Sequence, residues 1–338
     1  MKRKYIPILL FIALLVTISA CTNTEDADET REDQATLIDS YSYADYDKVI
    51  EDIYSNVADA KSRDIVTQIN ALSDYFLEAE YILGPLGEGE TGQFDQQPLY
   101  RTDAFDCVTY VETVIALANS NNLEEFKQHM LDIRYEGDKP SFLSRNHFTS
   151  VDWNKNNIHK GYINDVTYKF IDESGTPVAL VAEVIINKPG WYQKFKASRL
   201  ELLNPTTEAE TKKLLDKLRN LANKVQQEQG AMLYIPLSKL FNRNGEPNQH
   251  LFDQIPHASI IDIIRPNWNL KKLIGTNLNV SHFGFAIRDN GELYYREASS
   301  VANKIIDVPL AEYLQQYANN PNSTVKGITV LEITPLRK

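Results

Sequence analysis

Chemistry in this chain starts from one thiol. Cys107 sits in Phe105-Asp106-Cys107-Val108-Thr109-Tyr110-Val111-Glu112, where Asp106 reads as the N-cap of a helix beginning at the cysteine. A thiol in that first turn faces the positive end of the helix dipole and several free backbone N–H groups. Both favour thiolate over thiol, and the same N–H groups can hold an oxyanion. A thiolate nucleophile needs an imidazole as general base and then general acid. Six histidines are available (His129, His147, His159, His250, His257 and His282), and His282 has the most distinctive surroundings.

His282 lies in a segment predicted to be a strand, Ser281–Arg288, which a turn at Asp289-Asn290-Gly291 joins to Glu292–Ala298. Asn-Gly is the strongest short hairpin signal. A two-residue loop at Asn290-Gly291 pairs Asp289 with Glu292 and sets Glu297 opposite Gly284, one diagonal step from His282 on the same face. The same loop one residue earlier would set Glu297 directly opposite His282, and a three-residue loop would turn it to the other face. Phe283, Phe285 and Ile287 are expected to pack inward, leaving the small-residue face of His282, Gly284 and Ala286 open. A carboxylate beside the imidazole would fix its tautomer and stabilise the imidazolium, as the third member of a triad does.

The elements that must hold these groups read as α+β. Residues from about 40 to 83 carry helical periodicity, with Ile50, Ile53, Tyr54 and Val57 on one stripe. Gly84, Pro85, Gly87, Gly89 and Gly92 break it into a loop. Helices are predicted from Cys107, near 123–133 and over 206–228, with a turn at Asn187–Trp191 and a strand over 178–186. Short strands then dominate: Met232–Ile235, Ser259–Ile264, the hairpin above and Thr329–Ile333. Helices first and antiparallel strands afterwards give the α+β class.

The N-terminus reads as an export signal. Lys2, Arg3 and Lys4 precede an apolar run from Ile8 to Ile18 that is short for a bilayer span. Ile18-Ser19-Ala20-Cys21 resembles a bacterial lipobox, which implies a signal peptide over 1–20 and lipidation of Cys21. The six acidic residues between Thr22 and Gln34 fit a solvated tether over 21–38. Expected localisation is the cell envelope, with the protein held on the membrane by its lipid. With Cys21 lipidated, Cys107 is the only remaining thiol, so neither a disulfide nor a cysteine-rich zinc site is expected. The histidine pairs lack metal-ligand spacing and no glycine-rich phosphate loop occurs, so no metal or cofactor is expected. A formal charge of −11 argues against nucleic acid as a partner.

Taken together, the Cys107 motif and Val280-Ser281-His282-Phe283-Gly284-Phe285 resemble the NlpC/p60 superfamily of cysteine hydrolases, and more narrowly its N-acetylmuramoyl-L-alanine amidase-like branch. Arg134-Tyr135, Ser144-Arg145-Asn146-His147-Phe148, Lys188-Pro189-Gly190-Trp191 and Tyr234-Ile235-Pro236 extend the likeness from about Tyr81 to Ile333. The resemblance implies a papain-like fold over 39–338, with a helical half carrying Cys107 packed on a small antiparallel sheet carrying His282. It also implies hydrolysis of the amide between the muramic acid lactyl group and L-alanine in peptidoglycan fragments. Cys107, His282 and Glu297 are then the catalytic set, with Glu297 where the family usually has a histidine. Ala258-Ser259 likewise replaces a usual Gly-Asp. Arg145 and His147 match substrate-gripping positions, with a salt-bridged loop and a surface imidazole as their alternatives. Tyr100 is either an extra oxyanion donor or a loop aromatic covering the core. Soluble muropeptides suit the acidic surface better than the anionic sacculus. Two other functions stay open: an endopeptidase cutting between D-glutamate and the diamino acid, and a non-catalytic lipoprotein that binds wall fragments.

Overall fold

Apolar stripes at helical spacing form α1 (Tyr43–Asn56), α2 (Ile65–Tyr75), α3 (Cys107–Ala118) and α4 (Leu123–Arg134). The computed structural model describes residues 42–56, 64–137, 139–203 and 206–336, so Cys21, the signal segment and the tether lie outside the described residues. Burial of every residue from Thr109 to Ala118 makes α3 a helix within the core rather than on its surface. Asp106 caps it: its carboxylate accepts from Thr109 N–H at 2.8 Å, and Thr109 Oγ1 accepts from Asp106 N–H at 2.9 Å. A second Asp106 oxygen accepts from Gly84 N–H, tying the glycine-rich loop to the helix start.

The strands are β1 (Glu80–Tyr81), β2 (Ala104–Phe105), β3 (Ile163–Asp165), β4 (Leu180–Ile186), β5 (Glu228–Pro236), β6 (Ser259–Asn269), β7 (Asn277–Asp289), β8 (Glu292–Ser299), β9 (Lys304–Pro309) and β10 (Gly327–Ile333). They form one ten-stranded sheet in the order β2-β1-β9-β8-β7-β6-β10-β5-β4, with β3 paired on β10. β1 and β2 are parallel and the other pairs antiparallel, so the sheet is mixed. It curls: edge strand β4 returns to touch β6 and β7, and Asn279 Nδ2 donates to Ala182 O across that closure. The sheet is therefore a half-barrel running through the molecule. This corrects the expected papain-like arrangement of a helical half on a small antiparallel sheet. The strand predicted over 178–186 is β4, and it joins this one sheet together with β1, β2 and β3, which were not predicted.

Both faces of the central strands are covered. Phe283, Phe285 and Ile287 pack with α2 and α3, as the alternation predicts. Ala286 does not stay open: with Tyr295, Ile261 and Ile263 it enters a second core closed by α8 (Leu310–Ala318). Only the His282 end of that face remains partly accessible, its side chain 16% exposed. Three helices occupy the stretch between β3 and β5 or border it: α5 (Asn154–His159), α6 (Lys188–Gln193) and α7 (Glu208–Ala222). The turn predicted at Asn187–Trp191 is the start of α6, with Asn187 as N-cap and Pro189 in the first turn.

Candidate active site

The hairpin fixes the first contact. Phe285 pairs with Arg296 and Asp289 with Glu292, which is the register of a two-residue Asn290-Gly291 loop. Positive φ at both loop residues, 50° and 88°, is the type I′ geometry that Asn-Gly favours. Arg296 points to the α2 face, where it bridges Asp307 at 2.7 Å and donates to Ser73. Its neighbour Glu297 therefore points the other way, where its Oε2 meets His282 Nε2. Glu297 is buried.

A bulge sets the second contact. Ile263 pairs with His282 but Ile264 pairs with Val280, so Ser281 is an extra residue in β7. Bulges bend a strand and re-aim the side chains beside them. His282 there comes within hydrogen-bonding reach of Cys107. With Nε2 on Glu297, Nδ1 is the nitrogen left for the thiol. Burial opposes charge on the imidazole, but Cys107 and Glu297 beside it outweigh that and hold its pKa well above the ordinary histidine value. Beneath the pair, Tyr295 lies 5.9 Å from the His282 ring and meets the tilted ring of Tyr313 at 4.8 Å.

Cys107, Val108, His147, Phe148 and residues 278–283 line a cleft of about 140 Å³. A notch of that size takes the reacting group and leaves the rest of a large substrate on the surface. The capping box engages Thr109 N–H and leaves the donors of Cys107 and Val108 outside it, at the cleft wall. Backbone N–H groups so placed suit an oxyanion.

The other sequence candidates separate. His147 reaches the cleft, where its Nε2–H donates to Phe142 O at 2.6 Å. Burial, and next the Arg145 guanidinium, push its pKa well below the ordinary value, so it is neutral and offers only an Nδ1 lone pair. A neutral imidazole cannot hold a carboxylate by charge. Arg145 does not line the cleft: Nε donates to Glu88 Oε1 at 2.8 Å, and one terminal nitrogen reaches Asp95 Oδ2 at 2.9 Å. It locks the 86–97 loop, which is the salt-bridged reading of that residue. Arg134 does similar work one layer deeper, bridging Glu112 at 2.7 Å and donating to Leu86 O at 2.8 Å, while Trp153 Nε1 donates to the other Glu112 oxygen at 2.9 Å. Tyr100 is core, its hydroxyl on Asp47 and its ring against Tyr43 and Phe126. Of its two readings, the structure places it as the core aromatic, packed between α1 and α4, and not at the cleft.

Trp191, named in the sequence only as part of a turn and of the family likeness, has its ring 4.8 Å from His147 and 5.1 Å from Phe148 and so backs the cleft. Its aromatic neighbours, adjacent Tyr192 and Phe195 four residues on, were the available signal. Among the described residues, no group of three or more His, Cys, Asp or Glu side chains is placed to hold a metal ion.

The curled mixed sheet sets a thiol and an imidazole at one cleft with a buried carboxylate behind the imidazole, and comparison with known proteins gives the class of this scaffold. Residues 71–321 match the AmiA-like family, described as N-acetylmuramoyl-L-alanine amidase-like. The chain belongs to that family. A crystal structure of a Legionella pneumophila protein, assigned to family DUF1460, shares 40% identity with it; the match covers 91% of this chain and 97% of that one, with a TM-score of 0.82. A crystal structure named as an N-acetylmuramoyl-L-alanine amidase from Bacteroides uniformis shares 23% identity, covering 80% of this chain and 99% of that one at a TM-score of 0.54, a likeness of fold. No curated protein matches the chain. These findings overturn the resemblance to the NlpC/p60 superfamily: the AmiA-like family is a distinct one, related to it through peptidoglycan. Membership supports a peptidoglycan amidase-like hydrolase role for this protein.

Proposed function

We propose that this protein cleaves the amide between the muramic acid lactyl group and L-alanine, with Cys107 as nucleophile, His282 as acid and base, and Glu297 orienting His282. The observation that carries this reading is that Cys107 and His282 line one cleft, with His282 within hydrogen-bonding reach of Cys107 and bonded on its Nε2 side to buried Glu297. The Cys107 thiolate attacks the lactyl carbonyl carbon, and the oxyanion is received by the first-turn N–H groups of α3. As the C–N bond breaks, His282 gives its Nδ1 proton to the departing alanine amine. His282 then takes a proton from water, which attacks the thioester and releases the lactyl carboxylate and the thiolate. Glu297 keeps the proton-bearing Nε2 on its own side, so Nδ1 serves the reaction.

Membrane attachment through Cys21 at the cell envelope belongs to the same proposal, resting on the lipobox-like Ile18-Ser19-Ala20-Cys21. The test is to incubate wild type and Cys107→Ala with disaccharide-tetrapeptide muropeptides, in 1,6-anhydro and reducing forms, and weigh the products. Cys107-dependent release of a tetrapeptide beginning with L-alanine, plus free disaccharide, is expected. A disaccharide-dipeptide product would move the cut to the D-glutamyl bond, and intact substrate with both proteins would refute the catalytic reading.

A further inference from the structure

Among the described residues, the walls of the cleft contribute no lysine, arginine, aspartate or glutamate, and beyond Cys107 and His282 their one titratable side chain is His147. The chain on either side of it is anchored. Asn146 N–H donates to Arg134 O and its Nδ2 to Ile133 O, each at 2.9 Å. Phe148 N–H donates to Asp152 Oδ2 at 3.2 Å, and Lys188 holds the other oxygen of that carboxylate at 2.6 Å. The His147 ring lies 4.7 Å from Phe142 and 4.8 Å from Trp191 between centroids. Phe142 O can only accept, so its bond to Nε2 places the proton there. In the neutral imidazole that burial and Arg145 enforce, Nδ1 then carries a lone pair, and no group among the described residues bonds it. A packed ring with one nitrogen engaged by the main chain presents a pre-organised acceptor at the cleft.

We propose that His147 is a specificity-determining residue for the reaction: its Nδ1 accepts a hydrogen bond from an uncharged amide N–H of the substrate beside the lactyl carbonyl. The inference rests on the amidase reading and names how the substrate is recognised at that same cleft. His147 and Cys107 share one notch of about 140 Å³, so an acceptor there serves groups next to the carbonyl under attack. A muramyl peptide offers three such donors: the acetamido N–H of the muramic acid, the scissile N–H and the N–H of the next peptide bond. A carboxylate would meet the lone pair with no proton between them. An ammonium would lose its hydration against walls that hold no carboxylate to replace it. An amide N–H suits the site, and a compound lacking that N–H leaves the acceptor unpaired and is rejected.

The experiment compares the full chain with His147→Phe, which keeps an aromatic ring in the packing but no acceptor, and His147→Asn, which keeps an acceptor. Each is given a muramyl tetrapeptide and three analogues that lack one N–H apiece: N-methylated on the acetamido group, N-methylated on the second amide, or carrying an ester for the scissile amide. On the parent, wild type is expected to exceed His147→Phe by about tenfold in kcat/KM, carried by KM, with His147→Asn in between. On one analogue that ratio is expected to fall close to one, which identifies the donor. A ratio near one on the parent, or one unchanged across all three analogues, would overturn the proposal. A second readout needs neither turnover nor a His147 variant: Cys107→Ala with ¹⁵N-labelled histidine is titrated with the parent tetrapeptide. The His147 Nδ1 resonance is expected to move upfield as its lone pair takes a proton donor, and an unmoved resonance would overturn the proposal. If wild type cleaves none of the four compounds, the amidase reading fails on its own and the titration alone decides the role of His147.

Discussion

Replacing Glu297 with Gln isolates what the carboxylate contributes to His282. The substitution keeps the size and an acceptor oxygen but removes a buried charge in contact with Nε2. An opposite charge that close moves a pKa by about 1–3 units, or about 1.4–4 kcal/mol. Because the His282 pKa is raised in the folded enzyme, its imidazolium persists through neutrality, and activity falls only as pH rises through that folded value. Glu297→Gln should therefore shift the alkaline limb of kcat/KM to lower pH by about 1–3 units, and reduce the plateau by about 10²–10⁴ through loss of the oriented tautomer. The same sign applies to stability: what the raised His282 pKa contributes is fully present below its unfolded value and is lost as pH rises through the folded one. The assay is a pH series of initial rates, with iodoacetamide labelling of Cys107 followed by mass as a readout independent of turnover. An alkaline limb and a labelling profile that both match wild type would refute the coupling between Glu297 and His282.

Four further outcomes follow from the packing. Arg145→Ala strands Glu88 and Asp95 in a buried site and should cost about 3–5 kcal/mol in denaturant unfolding; a large KM change with intact stability would restore it to the substrate. Glu112→Ala leaves buried Arg134 without its counter-ion and should cost a similar amount by the same measurement. Burial pushes the Asp262 carboxyl up to about 7, against the hydrogen bond from Asn154 that pulls it down. A raised acid binds its proton more tightly when folded, so wild-type stability should fall as pH rises from about 4 to 7; Asp262→Asn should flatten that slope by about 2–4 kcal/mol in melts across that range. Gly275→Ala meets both a left-handed backbone and the Gly190 carbonyl, and should cost about 1–3 kcal/mol, read by melting temperature.

Local signals carried the reading of the site further than the reading of the fold. Asn290-Gly291 sets the register that brings Glu297 to His282, and Asp106 marks the first turn holding Cys107, because turn and cap chemistry are local. The sheet was less legible. Two-residue strands such as β1 and β2 have no period to detect, and whether 180–186 joins the same sheet depends on contacts distant in sequence. Gly284 and Ala286 look like an open face because small residues carry no burial signal; Ala286 enters the core that α8 closes, and Gly284 lies against Tyr295 and Arg296. Arg145 is ambiguous in sequence for another reason: a guanidinium fits a substrate carboxylate or Glu88 equally well, and only the path of the 86–97 loop decides.

The most direct test of the central claim is to look for the covalent intermediate. Wild type mixed with a disaccharide-tetrapeptide is quenched in acid within the first turnover, digested and analysed by mass spectrometry. The account predicts a hydroxylamine-labile muramyl acyl group on the peptide containing Cys107, and no turnover in Cys107→Ala. Peptide release at the wild-type rate by Cys107→Ala, with no adduct on Cys107 in wild type, would contradict it.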